Sequence, residues 1–139
     1  MKFAKINNEL TVSDQITIED LKEIQVQGYK TIFCNRPDQE SEGQLDFSTI
    51  EKEANNLGIK AIHQPVIGGQ ISGDDIAQFG SCFEASQKPI FAYCRTGTRC
   101  STLWALSHAK SLPVDEILNK TQNAGYDLSP IRDRLNSLK

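Results

Sequence analysis

Residues 89–109, PIFAYCRTGTRCSTLWALSHA, concentrate the side chains that could carry nucleophilic chemistry. An apolar run, PIFAY, reads as a buried strand that ends at Tyr93, and Cys94 opens a short loop centred on Gly97. The CSTLWALSHAK stretch that follows reads as an amphipathic helix over residues 100–110. In an open α/β sheet, ligands bind at the carboxyl ends of strands, which is where this loop falls. Backbone N–H groups curling into a helix N-terminus form an anion-binding concavity, and the helix dipole adds partial positive charge. A Cys at the mouth of such a nest has a pKa of roughly 3.5–7.5 in place of about 8.5. The resulting thiolate is an activated nucleophile toward phosphorus or sulfur.

The neighbours of Cys94 fit that chemistry. Arg99 could grip two oxygens of an oxyanion and follow them into the transition state. Gly97 allows a positive φ or a close backbone approach. Arg95, Thr96, Thr98, Cys100 and Ser101 complete the candidate anion-binding set, with Ser101 expected to donate its hydroxyl to the thiolate. Free Cys is commonly an inert buried thiol, and that reading is kept for Cys34 and Cys82. The coincidence of strand, Cys, Gly and Arg at the head of a helix argues against it for Cys94.

The elements that must hold this loop alternate along the chain. Strands are expected at residues 29–34 (YKTIFC), 60–66 and 89–93, with one or two short strands before Ser13. Helices are expected at 18–27, closed by Gly28, and at 47–56. A third runs from a capping box at Ser72 and Asp75 to about Ser86. Two more fill 113–124, with Pro113 in the first turn, and 129–139, with Ser129 as cap and Pro130 behind it. Strands spaced by helices imply an α/β fold with a parallel central sheet of about four to five strands covered by helices.

The chain has 139 residues, and no repeat or linker divides it, so one domain over residues 1–139 is expected. Lys and Arg total 15 against 18 Asp and Glu, a net charge of −3, which argues against nucleic-acid or membrane-surface partners. The longest apolar run is far too short to span a bilayer, and the N-terminal MKFAKINNEL lacks the make-up of a signal peptide. The four cysteines show no paired metal spacing, so no metal or other cofactor is expected and the thiols point to a reducing, cytoplasmic location.

At the Cys94 loop the sequence looks like the Cys-dependent phosphatases, and rhodanese sulfurtransferases share the same loop logic. More closely, it resembles the phosphatase-like domain family of beta-lactamase-hydrolase-like proteins, often fused to sulfide-metabolism modules. The matching stretches are LTVSDQIT (10–17), CNRPDQESEGQ (34–44), HQPVIGG (63–69), AYCRTGTRCSTLWAL (92–106) and AGYDL (124–128). The resemblance implies a protein-tyrosine-phosphatase-like fold of the dual-specificity type, with Cys94 as nucleophile and Arg99 as the anion-binding arginine. Two departures stand out. Tyrosine phosphatases of the usual type place five residues between Cys and Arg, whereas only Arg95, Thr96, Gly97 and Thr98 intervene here, the rhodanese spacing. A general-acid Asp is also expected just after the second strand, where this chain has Ile67, Gly68 and Gly69.

Asp74 and Asp75 come later and read as helix-start residues, with protonation of a leaving group as the alternative role. Arg36 either helps bind the anion or holds the 38–44 loop. His63 reads as a core or supporting histidine, and His108 as a surface one. Trp104 and Leu103 read as core. Cys100 is either a Ser-like residue at a helix start or a thiol that could form a reversible disulfide with Cys94, with Cys34 a second candidate partner. Three functions fit these residues. They are a Cys-dependent hydrolase of a phosphomonoester such as phosphotyrosine or an aryl phosphate, a sulfurtransferase working through a Cys94 persulfide, and a non-catalytic oxyanion or phosphoprotein binder. The expected partner is a small oxyanion or phosphorylated substrate, and no partner protein is named by the sequence.

Overall fold

The structure is a computed structural model that describes residues 1–139. Five strands form one sheet in the order β1-β2-β5-β3-β4. They are β1 (Ala4–Lys5), β2 (Leu10–Ser13), β3 (Thr31–Cys34), β4 (Lys60–His63) and β5 (Ile90–Tyr93). All neighbours pair in parallel except the edge strand β1, which lies antiparallel to β2. The helices are α1 (Ile18–Val26), α2 (Phe47–Asn56), α3 (Gly73–Ala85), α4 (Thr98–Ser107), α5 (Val114–Asn123) and α6 (Arg132–Ser137).

The strand β5 is central and buried on both faces, which is why it reads as an unbroken apolar run. Its side chains alternate between two cores. Ile90, Ala92 and then Cys94 enter the larger core with Trp104, Leu103 and Phe79, while Phe91 and Tyr93 enter the smaller one with Leu21, Ile24 and Ile50. Register with β2 and β3 sets Ser13, Cys34 and Tyr93 side by side at the carboxyl edge of the sheet, immediately before Cys94.

The expected elements are present, with shifted ends. β4 ends at His63, short of the expected Val66, although the N–H groups of Gln64 and Val66 still donate to the Cys34 and Asn35 carbonyls at 2.9 and 3.4 Å on either side of Pro65. α4 begins at Thr98, so Arg99 sits inside its first turn, and it ends at Ser107. Pro113 flanks α5 as its N-cap. Ser129 does not cap the last helix; Ser129–Ile131 form a 3-10 turn instead, with the Ser129 N–H donating to Asp127 Oδ1 at 3.0 Å. Ser72 and Asp75 do form a capping box, with the Asp75 N–H 3.1 Å from Ser72 Oγ and the Ser72 N–H 2.9 Å from Asp75 Oδ2. His108 is half-buried, its ring 5.1 Å from Trp104 and 5.0 Å from Phe83, so the surface placement expected for it does not hold. No helix is long and apolar enough to cross a membrane.

Phe33, at the centre of β3, is 0% exposed and meets Phe79 edge-on at 5.6 Å. Phe33→Ala is expected to cost about 3–5 kcal/mol through lost burial and a residual cavity. Urea denaturation followed by circular dichroism measures it, and a loss below about 1 kcal/mol would contradict this packing.

Candidate active site

Cys94 lies at the foot of the turn from β5 to α4 and is 0% exposed. Its sulfur accepts the Gly97 N–H at 3.1 Å, and the N–H groups of Thr96 and Cys100 also bear on it. The strongest influence is the Cys100 thiol, which donates to it. These donors outweigh the burial that opposes charge, and the Cys94 pKa is pulled down to about 6. Cys100, fully buried and donating, moves the opposite way. Of the two thiols, Cys94 therefore holds the negative charge and Cys100 the proton.

The turn depends on Gly97, which has φ +95°. A Cβ there would collide with the phenol oxygen of Tyr126 and lie 2.7 Å from its Cζ. The Tyr126 O–H donates to the Thr96 carbonyl at 2.9 Å, closing the loop from the side opposite the sheet. Burial, then the nearby thiols, push the Tyr126 pKa up to about 12, so this phenol stays protonated and remains a donor. The Ser101 hydroxyl donates to the Gly97 carbonyl at 2.9 Å, which corrects the expected contact with the thiolate. Thr96 Oγ1 and Thr98 Oγ1 lie 3.0 Å apart, and the N–H groups of Arg95 and Arg99 find no acceptor within the chain. Arg95 itself is exposed and makes no ion pair.

Arg99 is held by an unexpected residue, Glu40. Arg99 Nη1 donates to Glu40 Oε2 at 2.9 Å and to the Val66 carbonyl at 2.9 Å, and Nη2 donates to Glu40 Oε1 at 2.8 Å. That engages three of the five guanidinium donors. The free ones are Nε–H and one N–H of Nη2, the two that share an edge and can bind an oxyanion bidentately. Gly68 lies along that edge, where a Cβ would be 3.7 Å from Nε. The negative charges of Glu40 and Cys94 raise the Arg99 pKa, so the guanidinium stays charged.

Glu40 in turn accepts from Arg36 Nε at 2.9 Å. Arg36 is 3% exposed, and its remaining nitrogens donate to Gln15 Oε1 at 2.7 Å and to Ser41 Oγ. With every guanidinium nitrogen committed, the loop-holding arrangement is the one present and an anion would have to displace those bonds. His63 Nε2 lies 2.8 Å from the Arg36 carbonyl, and its ring stacks on Phe47 at 4.6 Å, so it supports the same loop. Gln39, just before Glu40, has a left-handed φ of 63°, a conformation costing a non-glycine residue about 1 kcal/mol. Asp75 is spent on its capping box and Asp74 is exposed in the first turn of α3. Glu40, held ionised first by Arg99 and then by Arg36, cannot donate a proton at neutral pH.

A cavity of about 390 Å³ opens beside the loop, with Gly68, Thr96, Thr98 and Arg99 among its walls and neither Asp74 nor Asp75. No three His, Cys, Asp or Glu side chains converge as a metal site requires. Glu40 and Tyr126 were not singled out from the sequence. Each stands in a stretch on which the sequence resemblance rested (34–44 and 124–128), but only the fold brings them to a loop that lies more than fifty residues from one and about thirty from the other.

Residues 2–111 match the family described as beta-lactamase hydrolase-like protein, phosphatase-like domain. A curated beta-lactamase hydrolase-like protein from Agrobacterium fabrum is 36% identical over 130 residues, which are 92% of this chain and 30% of that protein. The chain thus spans about 30% of the length of the curated relatives it matches. A crystal structure of a candidate phosphatase from Neisseria meningitidis is 41% identical, with TM-score 0.89, covering 99% of this chain and 100% of that one. The catalytic core of the PP-IP phosphatase SIW14 from S. cerevisiae, solved with citrate, is 15% identical with TM-score 0.70, covering 95% of this chain and 82% of that one. The fold is that of protein-tyrosine-phosphatase-like enzymes, as the sequence resemblance implied.

The thiolate absorbance of the purified protein is expected to titrate with a midpoint near pH 6 and to vanish as pH falls below it. Cys94→Ser should abolish that step. Cys100→Ala removes the thiol donor and should move the midpoint upward, while Cys100→Ser, which keeps an O–H, should move it less. An unchanged midpoint in Cys100→Ala would show that the backbone alone sets the pKa.

Proposed function

The chain belongs to the phosphatase-like domain family of beta-lactamase hydrolase-like proteins, and from that premise we propose that it hydrolyses a phosphomonoester through a cysteinyl-phosphate on Cys94. The observation that carries this reading is the free Nε–Nη2 edge of Arg99, charged and pre-oriented by Glu40 next to a thiol whose pKa is about 6. A planar fork of two donors matches two phosphoryl oxygens, and a thiolate supplies the attacking electron pair.

In the first step the Cys94 sulfur forms a bond to phosphorus as the bond to the leaving oxygen breaks, and that oxygen takes its proton from water. Water then attacks the cysteinyl-phosphate, releasing inorganic phosphate and restoring the thiolate. The N–H groups of Arg95 and Arg99 and the Arg99 guanidinium stabilise charge on the transferring oxygens. Both carboxylates near the β4–α3 segment are exposed or capped and Glu40 is ionised, so leaving groups of low pKa, such as phenolates, are the favoured ones. An aryl phosphate or phosphotyrosine is the proposed substrate class. Four unpaired cysteines support the cytoplasmic placement.

One observation favours a second reading, sulfur transfer through a Cys94 persulfide. Four residues separate Cys94 from Arg99, the rhodanese spacing, and sulfur transfer needs no general acid.

Turnover of an aryl phosphate and intact mass after thiosulfate separate these readings. Wild type should release phosphate, with kcat/KM falling on the acid side around pH 6 as the thiolate is lost. Cys94→Ser should release none. Arg99→Lys, which keeps the charge and loses the fork, should lower kcat by about 10²–10³. Gain of one sulfur on wild type only, without phosphate release, would replace the hydrolase reading with the sulfurtransferase. Neither signal would leave an oxyanion binder.

A further inference from the structure

We propose that the cavity beside Arg99 receives the leaving group of a phosphomonoester that carries a second anionic group, and that Arg134 selects it; this deepens, and rests on, the phosphatase reading. The cavity holds about 390 Å³, within the range of roughly 300–1,000 Å³ that encloses whole small molecules and far beyond what one phosphoryl group fills. The Cys94 loop contributes only part of its wall. The lining also includes Ile71, Ile131 and Arg134, the last two from the C-terminal 3-10 turn and α6.

Of the five arginines only Arg95 and Arg134 lack a carboxylate partner, and of these two only Arg134 lines the cavity. Arg36 and Arg99 share Glu40, and Arg132 pairs with Asp115 at 2.9 Å, whereas Arg134 has no carboxylate partner. Its Nη2 donates to the Ile71 carbonyl at 2.7 Å, which ties the guanidinium to the cavity wall and leaves four of its five donors free. No acidic residue lines the cavity, and its neighbour Asp133 is exposed outside the lining. Two cations thus face one cavity in a chain of net charge −3. Two isoleucine side chains, Ile71 and Ile131, line the same cavity and pack on the main core, which gives it an apolar surface.

The arrangement fits a molecule with a phosphoryl group at the Arg99 edge, an apolar body against Ile71 and Ile131, and a carboxylate or phosphate at Arg134. A single exposed charge pair is worth about fivefold in affinity at most when the anion is a carboxylate, and more for a dianionic phosphate. That preference shrinks as salt rises, because the Arg134 end is open to solvent.

The test is calorimetric binding of phenyl phosphate, 4-carboxyphenyl phosphate and 1,4-phenylene bisphosphate to Cys94→Ser protein, with and without Arg134→Gln and Arg134→Glu. The expected result is about fivefold tighter binding of the carboxylated compound than of phenyl phosphate. The bisphosphate should bind tighter still, the preference should disappear in Arg134→Gln, and it should reverse in Arg134→Glu. The carboxylate and phosphate arms decide which anion the subsite takes. Equal affinity for all three compounds, or a preference that survives Arg134→Gln, overturns the subsite. Failure of all three to bind overturns it as well. Turnover of phenyl phosphate by wild type is scored separately. Hydrolysis without any Arg134-dependent preference leaves the phosphatase and removes the subsite, and preference without hydrolysis does the reverse.

Discussion

The β5–α4 turn must keep a thiolate inside the protein, and much of the surrounding structure follows from that requirement. Burial alone would drive the Cys94 thiol up, as it does for Cys34 and Cys100. The charge survives because one thiol and a set of backbone N–H groups converge on the sulfur. Convergence requires the chain to turn left-handed at Gly97, and Tyr126 occupies the space a side chain there would need. The helix that follows cannot shift to relieve any mismatch, since Leu103, Trp104 and Ala105 are all 0% exposed in the larger core. Packing energy in α4 is thus converted into electrostatic pre-organisation at its N-terminus.

A second constraint concerns direction. An arginine that only carries charge can approach an anion from many angles, whereas one that must hold two oxygens needs its plane fixed. Glu40 fixes the plane of Arg99 by taking the Nη1–Nη2 edge, with the Val66 carbonyl as a third point. Glu40 is itself fixed by Arg36, whose other nitrogens reach Gln15 before α1 and Ser41 in the same loop. Buried ion pairs of this kind often add little net stability. Here the network serves geometry, and the left-handed Gln39 is backbone strain retained in the same loop.

What could be read from residues alone divides along the same line. The strand, the Cys, the Gly turn and the Arg are local in sequence, so their types and spacing expose both the fold class and the loop chemistry. The alternation of Ile90 and Ala92 against Phe91 and Tyr93 is likewise a period-two signal visible in the chain. Glu40 and Tyr126 were invisible as site residues because they act through contacts that only the sheet order and helix packing create. Arg36 supports two readings in the sequence, since a lone arginine after a strand carries no record of what it bonds. Ser101 misled because a hydroxyl at a helix start can turn either to the loop or to the carbonyl one turn back, and it takes the Gly97 carbonyl. His108 misled because three turns into an amphipathic helix is a periodicity argument, and the aromatic pair Trp104 and Phe83 overrode it.

The distribution of protons around the site constrains the chemistry more than any single residue does. Free donors remain beside the sulfur, namely the N–H groups of Arg95 and Arg99 and the free Arg99 edge, while the Cys100 thiol is spent on Cys94. No carboxylate lines the cavity beside Arg99, Glu40 is held ionised between two arginines, and Asp75 is bonded to its own helix cap. Tyr126 keeps its proton, but directs it into the Thr96 carbonyl. Stabilisation is therefore concentrated on the anion being transferred, and little is available for the atom it leaves. Under the proposed hydrolase reading, such an arrangement would favour transfer from groups that depart without protonation. On that reading the missing acid after β4 and the short spacing of the Cys loop go together, since both suit a site organised around the Cys94 sulfur and an oxyanion.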